Sequence, residues 1–106
     1  MQRNFGIIVQ AGALADIQYI HDYIGLQSPK NADGFIAKLI RAINSLQDFP
    51  TRYVVCSGNR RSNRAVRRMP VSPDLIYYRV RSNAKTVDII TIQHEARQQP
   101  RRFDLL

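Results

Sequence analysis

The sequence predicts a two-layer α+β domain, a pair of helices packed on a sheet. Two amphipathic helical stretches joined by a short break fill the first half of the chain, and short β-branched runs separated by turn residues fill the second. Length sets the remaining constraint: 106 residues make a single domain, 1–106, around one core. A separate cofactor-binding domain does not fit in that length. Hydrophobic residues at 44% and charged residues at 23% place the chain among those that fold.

A first strand is expected over 4–10, where Asn4-Phe-Gly-Ile-Ile-Val-Gln10 is short, apolar and β-branched. Around Ala11-Gly12 the period becomes helical, with Ala13, Ile17, Ile20 and Ile24 on one face and Asp16, Gln18 and Asp22 on the other. Gly25 to Gln27 ends that helix. Ser28 offers an N-cap and Pro29 a first helical residue for the next. Ala32, Phe35, Ile36, Leu39, Ile40, Ile43 and Leu46 then recur at spacings of three and four until Asp48-Phe49-Pro50 stops the run. The helical hairpin thus covers 13–47, and its apolar stripe must be buried against another layer.

The sheet is expected over 53–94. Tyr53 to Cys56 is a short strand, followed by a polar, arginine-rich loop from Ser57 to Arg64. Ala65 to Met69 reads as a strand that stops at Pro70, with a turn at Ser72-Pro73-Asp74. Leu75 to Arg81 and Thr86 to His94 form a hairpin about Ser82-Asn83-Ala84-Lys85. A two-residue loop at Asn83-Ala84 pairs Val80 with Val87, Tyr78 with Ile89 and Ile76 with Thr91, a face suited to the helices. Leu75, Tyr77, Arg79 and Arg81 then fall on the opposite face with Asp88, Ile90 and Ile92, half apolar and half arginine, which suits a surface that meets a partner. The tail 95–106 is polar until Phe103-Asp-Leu-Leu106, which either docks or frays.

The charge is segregated. The chain carries a net +8, yet residues 1–51 and 86–106 each balance their acids and bases. The whole excess lies in 52–85, where Arg52, Arg60, Arg61, Arg64, Arg67, Arg68, Arg79, Arg81 and Lys85 face Asp74 alone. Arginine presents a planar fork suited to phosphate and carboxylate. So local an excess predicts an anionic partner: a nucleic acid, ribosomal RNA or an acidic protein.

Other chemistry is sparse. Cys56 is the single cysteine, so neither an internal disulfide nor a zinc cluster forms, and it reads as a small buried hydrophobe in a reducing, cytoplasmic setting. His21 and His94 are too far apart in sequence to suggest a metal site, and no cofactor motif is present. His21 reads as solvated surface on the polar side of its helix. His94 either caps its strand by satisfying a backbone carbonyl or serves as an acid or base. No apolar run approaches the length of a membrane span, and no secretory signal opens the chain.

Four local patterns, taken in order, resemble a known family: Ala32 and Phe35 through Leu46 to Phe49-Pro50; Val66-Arg-Arg-Met-Pro70; Ile76-Tyr-Tyr-Arg-Val80; and Ile89-Ile-Thr-Ile-Gln-His-Glu-Ala-Arg97. With Asp16-Ile17 and Tyr19-Ile20 opening the first helix, they are similar to the RelE/ParE superfamily of type II toxin–antitoxin toxins over roughly residues 5–100, and more to its ParE branch of plasmid-stabilisation proteins. That resemblance implies a RelE-like β-α-α-β-β-β(-β) order with a mostly antiparallel sheet. It also implies a cytoplasmic toxin that poisons DNA gyrase and is neutralised by a cognate, acidic antitoxin encoded next door.

The RelE branch instead enters the ribosome and cleaves mRNA without a metal. Against that pattern the chain has no lysine or glutamate in 48–75 and no tail tyrosine, and keeps Arg67 or Arg68, Arg79, His94 and Arg97. Those gaps favour a toxin that binds its target, with Arg60, Arg61, Arg64, Arg67, Arg68, Arg79 and Arg81 as its contact residues. The alternatives are a metal-independent mRNA endoribonuclease using His94, Arg67, Arg79 and Arg97, and a non-toxic nucleic-acid or protein-binding module that retains the fold.

Overall fold

A computed structural model describes residues 5–59 and 64–95. The chain runs β1 (Gly6–Val9), α1 (Ala11–Gly25), α2 (Pro29–Ser45), a 3-10 turn (Pro50–Arg52), β2 (Val55–Ser57), β3 (Val66–Val71), β4 (Asp74–Arg81) and β5 (Thr86–His94). The strands form one sheet in the order β1-β5-β4-β3-β2. All neighbours are antiparallel except β1, which runs parallel to β5 with Gly6 opposite Thr86 and Val9 opposite Ile89. Both helices cover one face of this sheet. The expected α+β architecture, two helices on a mostly antiparallel sheet, is the one observed.

Local sequence sets the helix ends. Ser28 accepts a hydrogen bond from the Asn31 N–H at 3.2 Å, and Pro29 fills the first helical position, where no N–H is needed. The isoleucine stripe of α1 and the Phe35–Leu39–Ile43–Leu46 stripe of α2 point at the sheet, where Met69, Ile76, Tyr78, Val80, Val87, Ile89 and Ile92 complete the core. Ile40 departs from the expected stripe and is exposed. Cys56 is also exposed, against the expectation of burial. It lies on the three-residue edge strand β2, whose middle side chain turns away from the core.

The connector from α2 to β2 is fastened by side chains. Arg52 donates to the carbonyls of Ser45, Asp48 and Phe49 and to the Ser45 hydroxyl, satisfying the last turn of α2. Tyr78, fully buried, donates to the Pro50 carbonyl at 2.6 Å. Burial holds its phenol well above the ordinary range, so this donor stays neutral.

Two features of the sheet depart from the sequence reading. β3 runs through Pro70 to Val71, with Pro70 opposite Leu75. This is allowed because β2 pairs only as far as Val66 and Arg67, so the outer side of β3 is open at Pro70 and the missing N–H costs no ladder bond. The β4–β5 hairpin keeps the expected register from Arg81–Thr86 to Tyr78–Ile89 and then shifts, so that Tyr77 faces Thr91 and Ile76 faces Ile92. Ile90 is the extra residue of a β-bulge. Ile92, not Thr91, therefore joins the core beside Ile76.

Asp16 uses that bulge. Its carboxylate accepts from the Thr91 hydroxyl at 2.5 Å and the Ile92 N–H at 2.9 Å, pinning α1 to β5 rather than facing solvent as the helical pattern implied. Gly12 lies one turn earlier, where an added Cβ would stand 3.4 Å from the Ile90 carbonyl oxygen. A small residue lets α1 approach the bulge closely.

Candidate functional site

The arginine-rich segment divides between the two faces of the sheet. Arg67 pairs with Tyr78 and so shares the helix side, where it donates to the carbonyls of Thr51 at 3.0 Å and Tyr53 at 2.7 Å. It fastens the connector, as Arg52 does. Arg68, one residue on, falls on the opposite face, half-buried beside Tyr77. Burial pushes the Tyr77 phenol above its ordinary value, with the Arg68 cation opposing the shift.

Arg79 and Arg81 share that face, but not as two open cations. Arg79 is only 6% exposed and donates from Nε to the Arg64 carbonyl at 3.4 Å, across from the buried Asp88. Arg81 reaches solvent and pairs Nε with Asp88 Oδ2 at 2.6 Å. With Val66, Leu75, Tyr77 and Ile90, this second face holds its own small apolar cluster. The expectation of an open, half-arginine surface is thus corrected at Arg79, where burial removes it from direct contact. Arg64 and Arg81 are exposed, and with the half-buried Arg68 they are the arginines that stay accessible on this side among the described residues. Arg60, Arg61 and Arg97 lie outside the described residues.

Sequence reasoning missed two exposed apolar side chains. Phe49 is 80% exposed and held at φ 51°, ψ 56°, the left-handed region that a bulky side chain occupies at a cost of about 1–3 kcal/mol. Val54 is also exposed, and its carbonyl accepts from the Arg68 N–H at 3.0 Å. The Phe49-Pro50 pair was visible as a helix stop; nothing in its composition announced the ring's exposure.

His94 stands elsewhere. It ends β5 opposite Asp74 and lines a cleft of about 360 Å³ with Tyr19, Tyr23 and Phe35. Arg79 lies opposite Asp88, six residues before His94 and so about 20 Å away along the strand. Arg67 is on the helix-facing side and bound to carbonyls. Among the described residues, the candidate nuclease set is therefore not brought to one point. No three His, Cys, Asp or Glu side chains among them stand together as a metal site, and no helix among them is long and apolar enough to cross a membrane.

His21, expected to be merely solvated, bridges the helical hairpin. Its Nε2 lies 3.0 Å from Asp33 Oδ1 and its Nδ1 3.6 Å from Asp22 Oδ1. The hydrogen bond to Asp33, then that to Asp22, raises its pKa above 6.5. A raised histidine pKa stabilises the fold fully below the unfolded value, and the gain is lost as pH rises through the folded value. His21→Gln should therefore lower the melting temperature by a small amount near pH 5, and the difference from the parent should vanish by about pH 8. Equal differences at both pH values would remove the histidine charge from the account.

Residues 7–99 match the family described as the ParE toxin of the type II toxin–antitoxin system parDE. No curated protein matches the chain in sequence. Among solved structures, the chain is similar to one of the chromosomal ParDE toxin–antitoxin system of P. aeruginosa, with TM-score 0.69, 21% identity, and coverage of 85% of this chain and 95% of that one. It is also similar to the toxin–antitoxin complex RelBE2 of Mycobacterium tuberculosis, with TM-score 0.63, 15% identity, and coverage of 92% and 98%. Both likenesses establish the fold. The family match spans nearly every described element, from β1 through the end of β5, and the chain belongs to the ParE toxin family of type II toxin–antitoxin systems.

Proposed function

We propose that this chain arrests growth by poisoning DNA gyrase, and that a cognate antitoxin neutralises it on the basic surface of Arg64, Arg68 and Arg81. The ParE family match over 7–99 is the observation that carries this reading. The separation of His94 from Arg79 supports a toxin that binds its target rather than an RNA-cleaving one, because general acid–base chemistry needs its groups within hydrogen-bond reach of one phosphate. An acidic antitoxin fits the surface by charge, and exposed Val54, whose carbonyl accepts from the Arg68 N–H, gives it an apolar anchor beside the arginines.

The test is induced expression of the chain alone, followed by two assays on the arrested cells. Gyrase-linked double-strand breaks with intact transcripts are the expected result, and coexpression with the adjacent antitoxin should restore growth. Transcripts cut at codons in the ribosomal A site would overturn the gyrase reading. Unimpaired growth at high soluble expression would leave a binding module.

A further inference from the structure

We propose that the outer edge of β1 is a dimerisation site, where two copies of this chain join their sheets edge to edge, antiparallel, about a two-fold axis at Ile8. The site lies at the opposite edge of the sheet from β2 and does not depend on which target the toxin has.

The two edges of the sheet are built differently. β2 is three residues long, its pairing to β3 is irregular, and β3 beside it carries Arg68 and Pro70. Shortness, irregular pairing, charge and proline are the devices that keep a sheet edge from pairing with another chain. β1 lacks the last three: Gly6-Ile-Ile-Val9 is regularly paired, uncharged and free of proline. The Gly6 N–H donates to the Lys85 carbonyl at 2.8 Å and the Gln10 N–H to the Ile89 carbonyl at 3.0 Å. By the alternation of a strand, Ile7 and Val9 turn their main-chain groups away from β5. Among the described residues, nothing pairs with those groups. Ile8 and Val9 are 48% and 38% exposed, β-branched side chains standing at an open edge.

Open main-chain groups on a strand are satisfied by another extended strand. A second copy brings one already formed, so it avoids the ordering entropy that a free peptide loses on binding. The register follows from what is open. The Phe5 N–H already donates to the Gln47 carbonyl at 3.1 Å, and α1 begins at Ala11, so Ile7 and Val9 are the outward residues left on each copy. Antiparallel pairing of Ile7 with Val9 of the second copy, and the reverse, uses all of them. Ile8, which pairs with Asp88 and so lies on the face away from the helices, then stands opposite Ile8 of the second copy. That pair is of the non-hydrogen-bonded kind, in which side chains come closest. The contact is self-complementary and closes at two copies. Charge permits it at this edge. Two chains of net +8 repel, but the excess lies in 52–85, and residues 1–51 balance. With strands about 4.8 Å apart, the two β2 strands of the dimer stand about 43 Å from each other, far beyond the Debye length of about 8 Å. So short a pairing makes a reversible dimer rather than an obligate one.

Sedimentation velocity of the full chain from about 5 μM to about 1 mM tests this. The mean mass should rise from 12.2 kDa toward twice that value and level off. Ile8→Lys sets two cations opposite each other, and Val9→Pro removes an outward N–H while leaving the ladder to β5 intact. Both side chains are exposed at the edge, and an unchanged melting temperature at low concentration verifies each fold. Each substitution should weaken association about tenfold or more. The register is read separately. In a Cys56→Ser background, Ile8→Cys should cross-link two copies under mild oxidation, because directly opposed strand positions fall within disulfide reach. Leu26→Cys, at the end of α1 and 84% exposed, should not. A constant 12.2 kDa, a mass that climbs past the dimer, or association indifferent to both edge substitutions would overturn the proposal. So would equal cross-linking at the two cysteines. Antitoxin binding lost on Ile8→Lys, with the chain alone monomeric, would assign the edge to the antitoxin instead. Growth arrest and gyrase-linked breaks are separate readouts, so failure here leaves the proposed target standing, and the reverse.

Discussion

Tyr78→Ala is expected to remove about 3–5 kcal/mol of stability, a large part of the roughly 5–15 kcal/mol that holds a small domain together. Tyr78 is fully buried at the centre of β4, with Leu39 and Ile43 of α2 in the same core cluster, and its hydroxyl donates to the Pro50 carbonyl. The ring and the hydroxyl do different jobs, and Tyr78→Phe separates them. Phenylalanine keeps the packing and leaves one buried carbonyl short of a donor, for an expected loss of about 1–2 kcal/mol. Urea unfolding of the two variants measures both. If phenylalanine proved as damaging as alanine, the connector would depend on the hydroxyl rather than on the ring. A loss below about 1 kcal/mol for alanine would contradict the placement of Tyr78 in the core.

Asp16→Ala should cost about 2–3 kcal/mol, roughly 10–20 °C in melting temperature for a domain of this size. The carboxylate accepts two hydrogen bonds at the β5 bulge, one of them from the Ile92 backbone. Losing it leaves that N–H without its acceptor and loosens α1 from the sheet. Asp16→Asn retains an acceptor oxygen and should lose about half as much. Thr91→Val removes the hydroxyl partner alone, and its cost subtracted from that of Asp16→Ala estimates the share of the Ile92 bond. If Asp16→Ala melted with the parent, the helical pattern's placement of Asp16 toward solvent would be the better description.

The two predictions mark where the sequence was and was not legible. The helices, the hairpin turn and the first half of its register followed from period and turn chemistry, because Ser28-Pro29 and the alternation from Tyr78 to Arg81 are local signals. The bulge was not legible. In Ile89-Ile-Thr-Ile92 every residue suits either face, and no glycine marks the extra position. The role of Asp16 was hidden with it, since that carboxylate is oriented by the bulge and not by its own helix.

The basic surface was legible only as a total. The sequence reading located the net charge in 52–85 but could not distinguish arginines that face outward from those that bind carbonyls. Arg52 and Arg67 satisfy main-chain oxygens, which need a long, forked donor and neutralise none of its charge. The cleft was harder still. Tyr19 and Tyr23 flank the isoleucines of α1, and only the folded arrangement shows the β3–β4 turn and His94 closing the opposite wall.

The parallel pairing of β1 with β5 has a consequence for synthesis. Gly6 meets Thr86, eighty residues later in the chain, and the position between β1 and the central strand β4 is filled by β5, the last of the described strands. The helical hairpin emerges from the ribosome early, but its apolar stripes have only each other to cover them until the β3, β4 and β5 side chains of the core follow. A nascent chain therefore spends most of its translation without its complete sheet, and β1 finds its partner only once β5 has been made.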